Sequence, residues 1–175
     1  MQRLAGEAAY WIPVGRDADL EELENKARWS RWLRADAPLL PSERGHATQI
    51  SAMLVFDFLV NNADRFSGAN TLGDDRLDRL FFMDNTMSFG PEPTGHANSL
   101  LALLRVERFS RRLVAAATAF SEDRIRGAVG EEPDPPFPLL LDEEISGVLA
   151  RRDFLMGRIA DLVVAHGADR VLCFE

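Results

Sequence analysis

Apolar residues recur at helical spacing in several parts of the chain. The clearest pattern runs over residues 142–166, where one face is largely apolar and predicts a long amphipathic helix. The residues on that face are Ile145, Val148, Leu149, Leu155, Ile159, Leu162 and Val163. Shorter patterns of the same kind predict helices over residues 18–34, 47–61, 97–119 and 121–129.

Caps and helix breakers divide these segments. Asp142 is a predicted N-cap and Gly167 a predicted C-cap of the last helix. Prolines predict a loop over residues 38–41 and a stiff linker over residues 131–138, because a repeated proline cannot continue a helix. The apolar residues 8–14 predict a strand that would gain from pairing with a segment upstream.

A short hairpin is predicted between the second and third long helices. The runs 70–72 and 79–83 are separated by a cluster of glycine and aspartate, which is typical of a hairpin with a longer loop. If the pairing is symmetric about Leu77, Asn70 and Asp84 lie directly opposite each other at the open end, with Cβ atoms about 5 Å apart. Asp64 lies on the loop that enters the same end, so three oxygen-bearing side chains are expected to converge there.

This set of side chains suits phosphoryl transfer, which needs cations on the phosphates and a carboxylate that orients the attacking hydroxyl. Asp84 is the predicted ligand of Mg²⁺ or Mn²⁺, since such ions prefer one or two carboxylates plus substrate oxygens. Asn70 is a predicted second, uncharged metal ligand, and Asp64 the predicted base. Arg65 has two alternative roles, a structural one and a contact with nucleotide phosphate.

The run FDFLVNNADR, followed by FMDNTMSFG, resembles the catalytic core of the four-jointed and Golgi casein kinase family of atypical kinases. The resemblance covers residues 50–167, and about 35 of them carry its specific part. It implies a mainly α (α+β) fold in which the helices of a kinase-like C-terminal lobe surround one small β-hairpin. It also implies ATP as nucleotide, Asp64 as the catalytic residue, Asp84 as the metal aspartate and a bacterial homologue of the family.

The chain departs from that family in three places. The family's His-His-Tyr-Glu after Asp-Arg is replaced by residues 66–70, so an acidic second ligand becomes the amide of Asn70. The family's Asp-Asn-Gly becomes residues 84–86, with Thr86 in place of a glycine that would permit a left-handed turn. Eukaryotic relatives are rich in disulfides, whereas this chain has one cysteine.

The N-terminal nucleotide lobe of a kinase is absent from the sequence. No Gly-x-Gly-x-x-Gly occurs, and the only lysine, Lys26, lies in a segment with a helical pattern. The chain is therefore interpreted as a C-terminal lobe with its partner lobe in cis or in trans, as a fragment of a longer protein cut at Met1, or as a lobe that has lost catalysis. We favour the second interpretation.

Length, composition and charge limit the number of domains and the kinds of partner that the chain is expected to have. With 175 residues, 46% of them hydrophobic, the chain can bury the core of one domain. We expect residues 1–46 to hold the N-terminal strand and helix, 47–90 the catalytic helix, loop and hairpin, and 91–175 the helical remainder. A net charge of −8 argues against nucleic acid or an anionic membrane as partner. With no signal segment and one cysteine, a cytoplasmic location is the default expectation.

Several conspicuous residues also have structural interpretations. Asp57 lies within an apolar run, where a carboxylate must be paired, and is expected to anchor the catalytic loop through backbone N–H groups or an arginine. Trp29 and Trp32 are expected to pack in the core, and a docking surface for the missing lobe or a substrate is the alternative. Arginines at positions 105, 108, 111 and 112 are interpreted as a solvated stripe on the helix over 97–119, with a contact to phosphate as the alternative.

Two functions from different classes follow. The first is the catalytic lobe of a metal- and ATP-dependent kinase that acts on a hydroxyl of a protein, a sugar or a small molecule. The second is a non-catalytic interaction module built on a kinase-derived scaffold. Hydrolysis of phosphate by the same carboxylates is a weaker third alternative.

Overall fold

The computed structural model of the chain describes residues 16–18, 20–66, 70–74, 79–131 and 138–175. The predicted strand over residues 8–14 and most of the predicted linker over 131–138 lie outside these residues. The described residues form strands and helices. The strands are β1 (Arg16–Asp17), β2 (Thr71–Gly73) and β3 (Leu80–Phe82). The helices are α1 (Leu23–Trp32), α2 (Pro41–Val60), α3 (Ala97–Leu103), α4 (Arg111–Thr118), α5 (Glu122–Gly130), α6 (Asp142–His166) and α7 (Ala168–Val171).

The described chain is mainly helical, as predicted, and its one sheet is small. The three strands are antiparallel in the order β1-β2-β3. One face of the sheet lies against α2, where the Thr71 hydroxyl contacts the Met53 sulfur at 3.8 Å and the Leu80 N–H donates to the Gln49 side chain at 2.9 Å. The hairpin is therefore fixed to the helix that precedes the candidate site.

Helix α2 lies at the centre of the molecule and contacts α1, α3 and α6. Its second half is buried almost all round, as expected for a helix enclosed by other helices. Trp29 of α1 is 2% exposed and belongs to the same core, which confirms its predicted packing. Its indole N–H donates to the Leu20 carbonyl at 2.8 Å.

The prediction for α6 is confirmed over its whole length, from Asp142 to His166. Gly167 ends the helix with a φ of 86°, a left-handed value that favours glycine. The predicted N-cap is wrong, however, because Asp142 is the first helical residue and Leu141 precedes it. The Glu144 carboxylate accepts from the Leu141 N–H at 2.7 Å and caps the helix instead.

The boundaries of α1, α2 and α5 differ from the predictions by different amounts. Helix α2 begins six residues before the predicted start because Pro41 occupies its first position, where a proline loses no hydrogen bond. Helix α1 is shorter than the predicted 18–34, and α5 agrees with the predicted 121–129 to within one residue.

The predicted helix over 97–119 is two helices, α3 and α4, joined by an irregular connector. The connector is held by other parts of the chain: the Glu107 N–H donates to the Leu33 carbonyl at 2.9 Å, and the Phe109 N–H to the Val171 carbonyl at 2.7 Å. The interpretation of Arg108 as part of a solvated stripe is also wrong. Arg108 is 7% exposed and donates to the carbonyls of Trp32 and Ala37.

Of the helices that lie within the described ranges, none combines the length and the apolar character that a bilayer crossing demands.

Replacement of Leu155 by alanine tests the core on α6. Leu155 is fully buried, so Leu155→Ala is expected to lower the free energy of unfolding by about 2–5 kcal/mol. Val164 is 89% exposed on the same helix, and Val164→Ala should change it by less than about 0.5 kcal/mol. Urea unfolding followed by circular dichroism measures both, and equal effects would contradict the packing of α6.

Candidate functional site

The end of α2 introduces the loop that carries Asp64. Asn61 terminates the helix in a left-handed conformation with a φ of 58°, which asparagine tolerates better than most residues. The Asn62 side chain then accepts from the Asp64 N–H at 3.0 Å and shapes the loop. Asp57, one helical turn before the end, faces this loop from inside the protein.

Asp57 and Arg65 form a buried ion pair beneath the loop. The Arg65 Nε and Nη2 donate to the two Asp57 carboxylate oxygens, each at 2.8 Å, and the side chains are 5% and 2% exposed for Asp57 and Arg65. Burial raises the pKa of Asp57, while the bonds from Arg65 and Asn62 act in the opposite direction. The prediction that Asp57 anchors the loop through an arginine is confirmed.

Arg65 also reaches the hairpin. Its Nη1 donates to the Asn70 carbonyl at 2.8 Å and to the Met83 carbonyl at 2.6 Å, and its Nη2 donates to the Asn85 side chain at 2.6 Å. With the two bonds to Asp57, these contacts use all five N–H donors of the guanidinium. They favour the structural role of Arg65 over the predicted contact with nucleotide phosphate, since no donor is left for a phosphate.

Asp64 and Asn70 are adjacent, as the sequence predicts. The Asn70 side-chain amide donates to the Asp64 backbone carbonyl at 2.9 Å and approaches its carboxylate at 3.5 Å. Because the amide nitrogen faces Asp64, the amide oxygen of Asn70 is the atom available to a cation.

The predicted register of the hairpin is wrong by one residue. Thr71 pairs with Phe82 and Gly73 with Leu80, and the Met83 N–H donates to the Asn70 carbonyl at 2.8 Å. Asn70 therefore faces Met83 rather than Asp84, and the predicted direct pairing of Asn70 with Asp84 does not occur. A shift of one residue along a strand turns a side chain to the opposite face of the sheet. That rule does not fix the direction of the Asp84 side chain, because Asp84 lies beyond the paired strand residues and its φ of 44° is not that of a strand.

The Asp84 carboxylate takes part in a local turn. It accepts from the Thr86 hydroxyl at 2.6 Å and from the Thr86 N–H at 3.2 Å. These two bonds, with a smaller contribution from Arg65, hold the pKa of Asp84 below its ordinary value. The exposed carboxylate is therefore ionised at neutral pH, which is the state that a hard cation requires.

Positive φ values occur at the end of α2 and in the segment that follows the hairpin. The non-glycine residues with positive φ in the described part of the chain are Asn61 at 58°, Asp84 at 44° and Phe89 at 68°. Left-handed geometry is uncommon for a bulky residue such as phenylalanine, and conformations of this kind cost about 1–3 kcal/mol each. Thr86 is not among them, so the glycine that the family has at that position is not needed for the backbone here.

Asp84 and Asn70 are the residues that could hold a cation at this end of the hairpin, and Asp64 lies beside Asn70. Asp84 and Asn70 supply a carboxylate and an amide oxygen, ligand types that suit Mg²⁺ or Mn²⁺. Within the described ranges, no group of three or more His, Cys, Asp or Glu side chains could hold a metal ion. A pair of one acid and one amide differs from such a group.

Asn85 is a residue of the site to which the sequence analysis assigned no role. Its side-chain oxygen accepts from Arg65 and, at 3.2 Å, from the Asn62 amide, so it fixes the peptide that follows Asp84. Its place between Asp84 and Thr86 in the motif is the signal that could have identified it.

The chain matches no protein-family model, and comparison with curated proteins finds no match either.

Replacement of Asp57 by asparagine tests the anchor. Asp57→Asn leaves the Arg65 charge buried without its counterion, which is expected to lower the free energy of unfolding by about 3–5 kcal/mol. Glu122→Gln removes an exposed ion pair with Arg126 and should leave the unfolding midpoint close to that of the wild type. Chemical denaturation measures both variants, and a wild-type midpoint for Asp57→Asn would show that the pair does not hold the loop.

Proposed function

We propose that the chain is the catalytic lobe of a metal- and ATP-dependent phosphotransferase, as its resemblance to the four-jointed and Golgi casein kinase family implies. One observation carries the proposal. Arg65 follows Asp64 directly and binds the residues on both sides of Asp84, namely Met83 through its carbonyl and Asn85 through its side chain. One buried group thus holds together the two segments that bear the carboxylates.

Each polar residue has a role in this proposal. Asp64 accepts the proton of the acceptor hydroxyl while that oxygen bonds to the γ-phosphorus, the bond to the bridging β–γ oxygen breaks, and ADP leaves. Asp84 and the Asn70 amide oxygen would hold Mg²⁺ or Mn²⁺, which neutralises phosphate charge when bound. An amide in place of a third carboxylate keeps like charges from crowding the site.

The acceptor and the second lobe belong to the same proposal. The acceptor is a hydroxyl of a protein, a sugar or a small molecule, and a nucleotide lobe in cis or in trans completes the ATP site. A cytoplasmic location also remains an expectation.

A non-catalytic interaction module is the second candidate, and one observation favours it. Lys26, the only lysine in the sequence, lies on α1 and is paired with Glu21 at 2.7 Å, whereas a kinase places such a lysine on a strand over the phosphates. A chain of this kind would keep the scaffold of the loop and hairpin without transferring phosphate.

Binding of Mn²⁺ distinguishes the two candidates. Loss of the free-ion signal in electron paramagnetic resonance is expected when the chain is titrated with Mn²⁺, and Asp84→Asn should abolish saturable binding. Asp161 is an exposed aspartate on α6, so Asp161→Asn should bind like the wild type. Equal binding by the Asp84 and Asp161 variants would show that the metal lies elsewhere, and no binding by the wild type would favour the interaction module.

Replacement of Asp64 separates binding from transfer. Asp64→Ala is expected to keep Mn²⁺ affinity within about threefold of the wild type and to lower ATP turnover by about 10²–10⁴-fold, the contribution typical of a general base. Release of ADP in the presence of Mn²⁺, ATP and the nucleotide lobe that completes the site measures turnover. Loss of metal affinity with turnover retained would contradict the assigned roles.

A further inference from the structure

Arg151 is a fully buried arginine on α6 that contacts the segment following Asp84. Its Nε donates to the Leu59 carbonyl at 2.9 Å. Its Nη1 donates to the carbonyls of Gly90 at 3.0 Å and Glu92 at 2.6 Å. A single side chain thus joins the Leu59 carbonyl, in the last turn of α2, to the segment over residues 90–92.

The same segment is fixed to α2 by further short bonds. The Phe89 N–H donates to the Val60 carbonyl at 2.5 Å, and the Asn61 side chain binds the Glu92 carboxylate at 2.6 Å and the His96 N–H at 2.5 Å. The region 89–96 is therefore attached to the end of α2 directly and through Arg151.

The segment around Pro91 packs closely against α6 beside Arg151, with no room for a side chain at Gly147. A Cβ atom at Gly147 would lie 2.8 Å from the Pro91 carbonyl oxygen and 2.9 Å from the Arg151 Nη1. A Cβ atom at Gly95 would lie 3.3 Å from the Arg151 Cδ. A side chain at Gly147 would therefore force α6 or this segment to shift, and one at Gly95 would crowd the Arg151 side chain.

Among the described residues, no carboxylate forms an ion pair with Arg151. Burial lowers its pKa to about 10, Glu92 acts in the opposite direction, and the Nη2 group has no acceptor among the residues that the structure describes. A buried cation of this kind is costly, and here three carbonyl dipoles from two segments compensate for lost hydration. An apolar side chain could fill the space but could not bind those carbonyls.

We propose that Arg151 is a positioning residue for Asp84, an inference that rests on the proposed function. The segment over 84–89 is anchored at one end by Arg65 through Asn85 and at the other by Arg151 through residues 90–92. Loss of the second anchor leaves Asp84 chemically intact but less well placed to bind a cation. Arg151 contributes to cation affinity without touching the ion.

Arg151→Lys tests the inference, and Arg158→Lys is a matched control. Arg158 lies on the same helix, donates to the carbonyls of Leu104 and Val106, and also has a pKa lowered by burial, but it contacts the connector between α3 and α4. Lysine has one donor group in place of the guanidinium fork, so each variant loses carbonyl contacts. Mn²⁺ affinity is measured by electron paramagnetic resonance, and exchange of backbone amides over residues 84–96 by mass spectrometry.

Arg151→Lys is expected to weaken Mn²⁺ binding by about tenfold, the lower end of the effect of groups bonded directly to metal ligands, because Arg151 acts on Asp84 through the intervening residues. It should also speed exchange over 84–96. Arg158→Lys should change neither. Equal loss of affinity in both variants would show a general structural effect and overturn the inference. So would faster exchange over 84–96 with wild-type affinity.

A second pair of variants tests the anchor with every charge in place. Gly147→Ala pushes a methyl group toward Pro91 and Arg151 and should weaken Mn²⁺ binding in the same direction. Gly157 lies on the same helix with open space around its Cα, so Gly157→Ala should bind like the wild type. If Arg151→Lys does not fold, this pair of variants tests the inference in its place, and wild-type affinity in Gly147→Ala would then overturn it.

A wild-type protein that binds no Mn²⁺ would overturn the proposed function itself. That result differs from equal binding by the wild type and the variants, which would overturn only the role of Arg151.

Discussion

The buried ion pair between Asp57 and Arg65 is the interaction on which the candidate site depends. Asp57 belongs to the central helix α2 and is held in place by the core around it. Arg65 extends from that fixed carboxylate to the Asn70 carbonyl, to Met83 and to Asn85. Two loops and the open end of the hairpin therefore take their positions from one carboxylate on a rigid helix, which defines where Asp64 and Asp84 lie.

Buried and half-buried arginines serve a similar purpose elsewhere in the molecule. Arg108, Arg151 and Arg158 each donate to backbone carbonyls at the ends of helices or in the connectors between them. Such carbonyls have no helical partner, and the planar guanidinium can reach two or three of them at once. The excess of arginine over lysine in this chain has a structural use at these positions, whatever its origin, since an ammonium group could not form the same forked contacts.

Much of the helical architecture can be read from local patterns. The bounds of α6 and its terminal glycine follow from apolar spacing and the conformational freedom of Gly167. The position of the loop between α2 and the hairpin follows from the asparagines that end the helix. The need for Asp57 to find a cation could also be predicted, because a carboxylate within an apolar run is costly unless it is paired. Its partner lies eight residues away, within reach of local reasoning.

Other features depended on contacts between residues far apart in sequence. Residues 97–119 contain no proline or glycine that would break a helix, yet the helix is interrupted because Glu107 and Phe109 bind the carbonyls of Leu33 and Val171. The hairpin register differs by one residue from the symmetric expectation because pairing also has to seat Thr71 and Leu80 on α2. Arg151 meets the segment after Asp84 across about 60 residues, so no local pattern could indicate it.

The sequence by itself determined the helical class, the extent of the longest helix and the set of polar residues near the hairpin, because these follow from side-chain periodicity and short-range backbone preferences. Only the tertiary structure decided which carbonyls each arginine binds, where the third long helix divides and how the hairpin aligns. Those outcomes depend on backbone groups that satisfy their hydrogen bonds with distant partners, and such partners become neighbours only when the core has assembled.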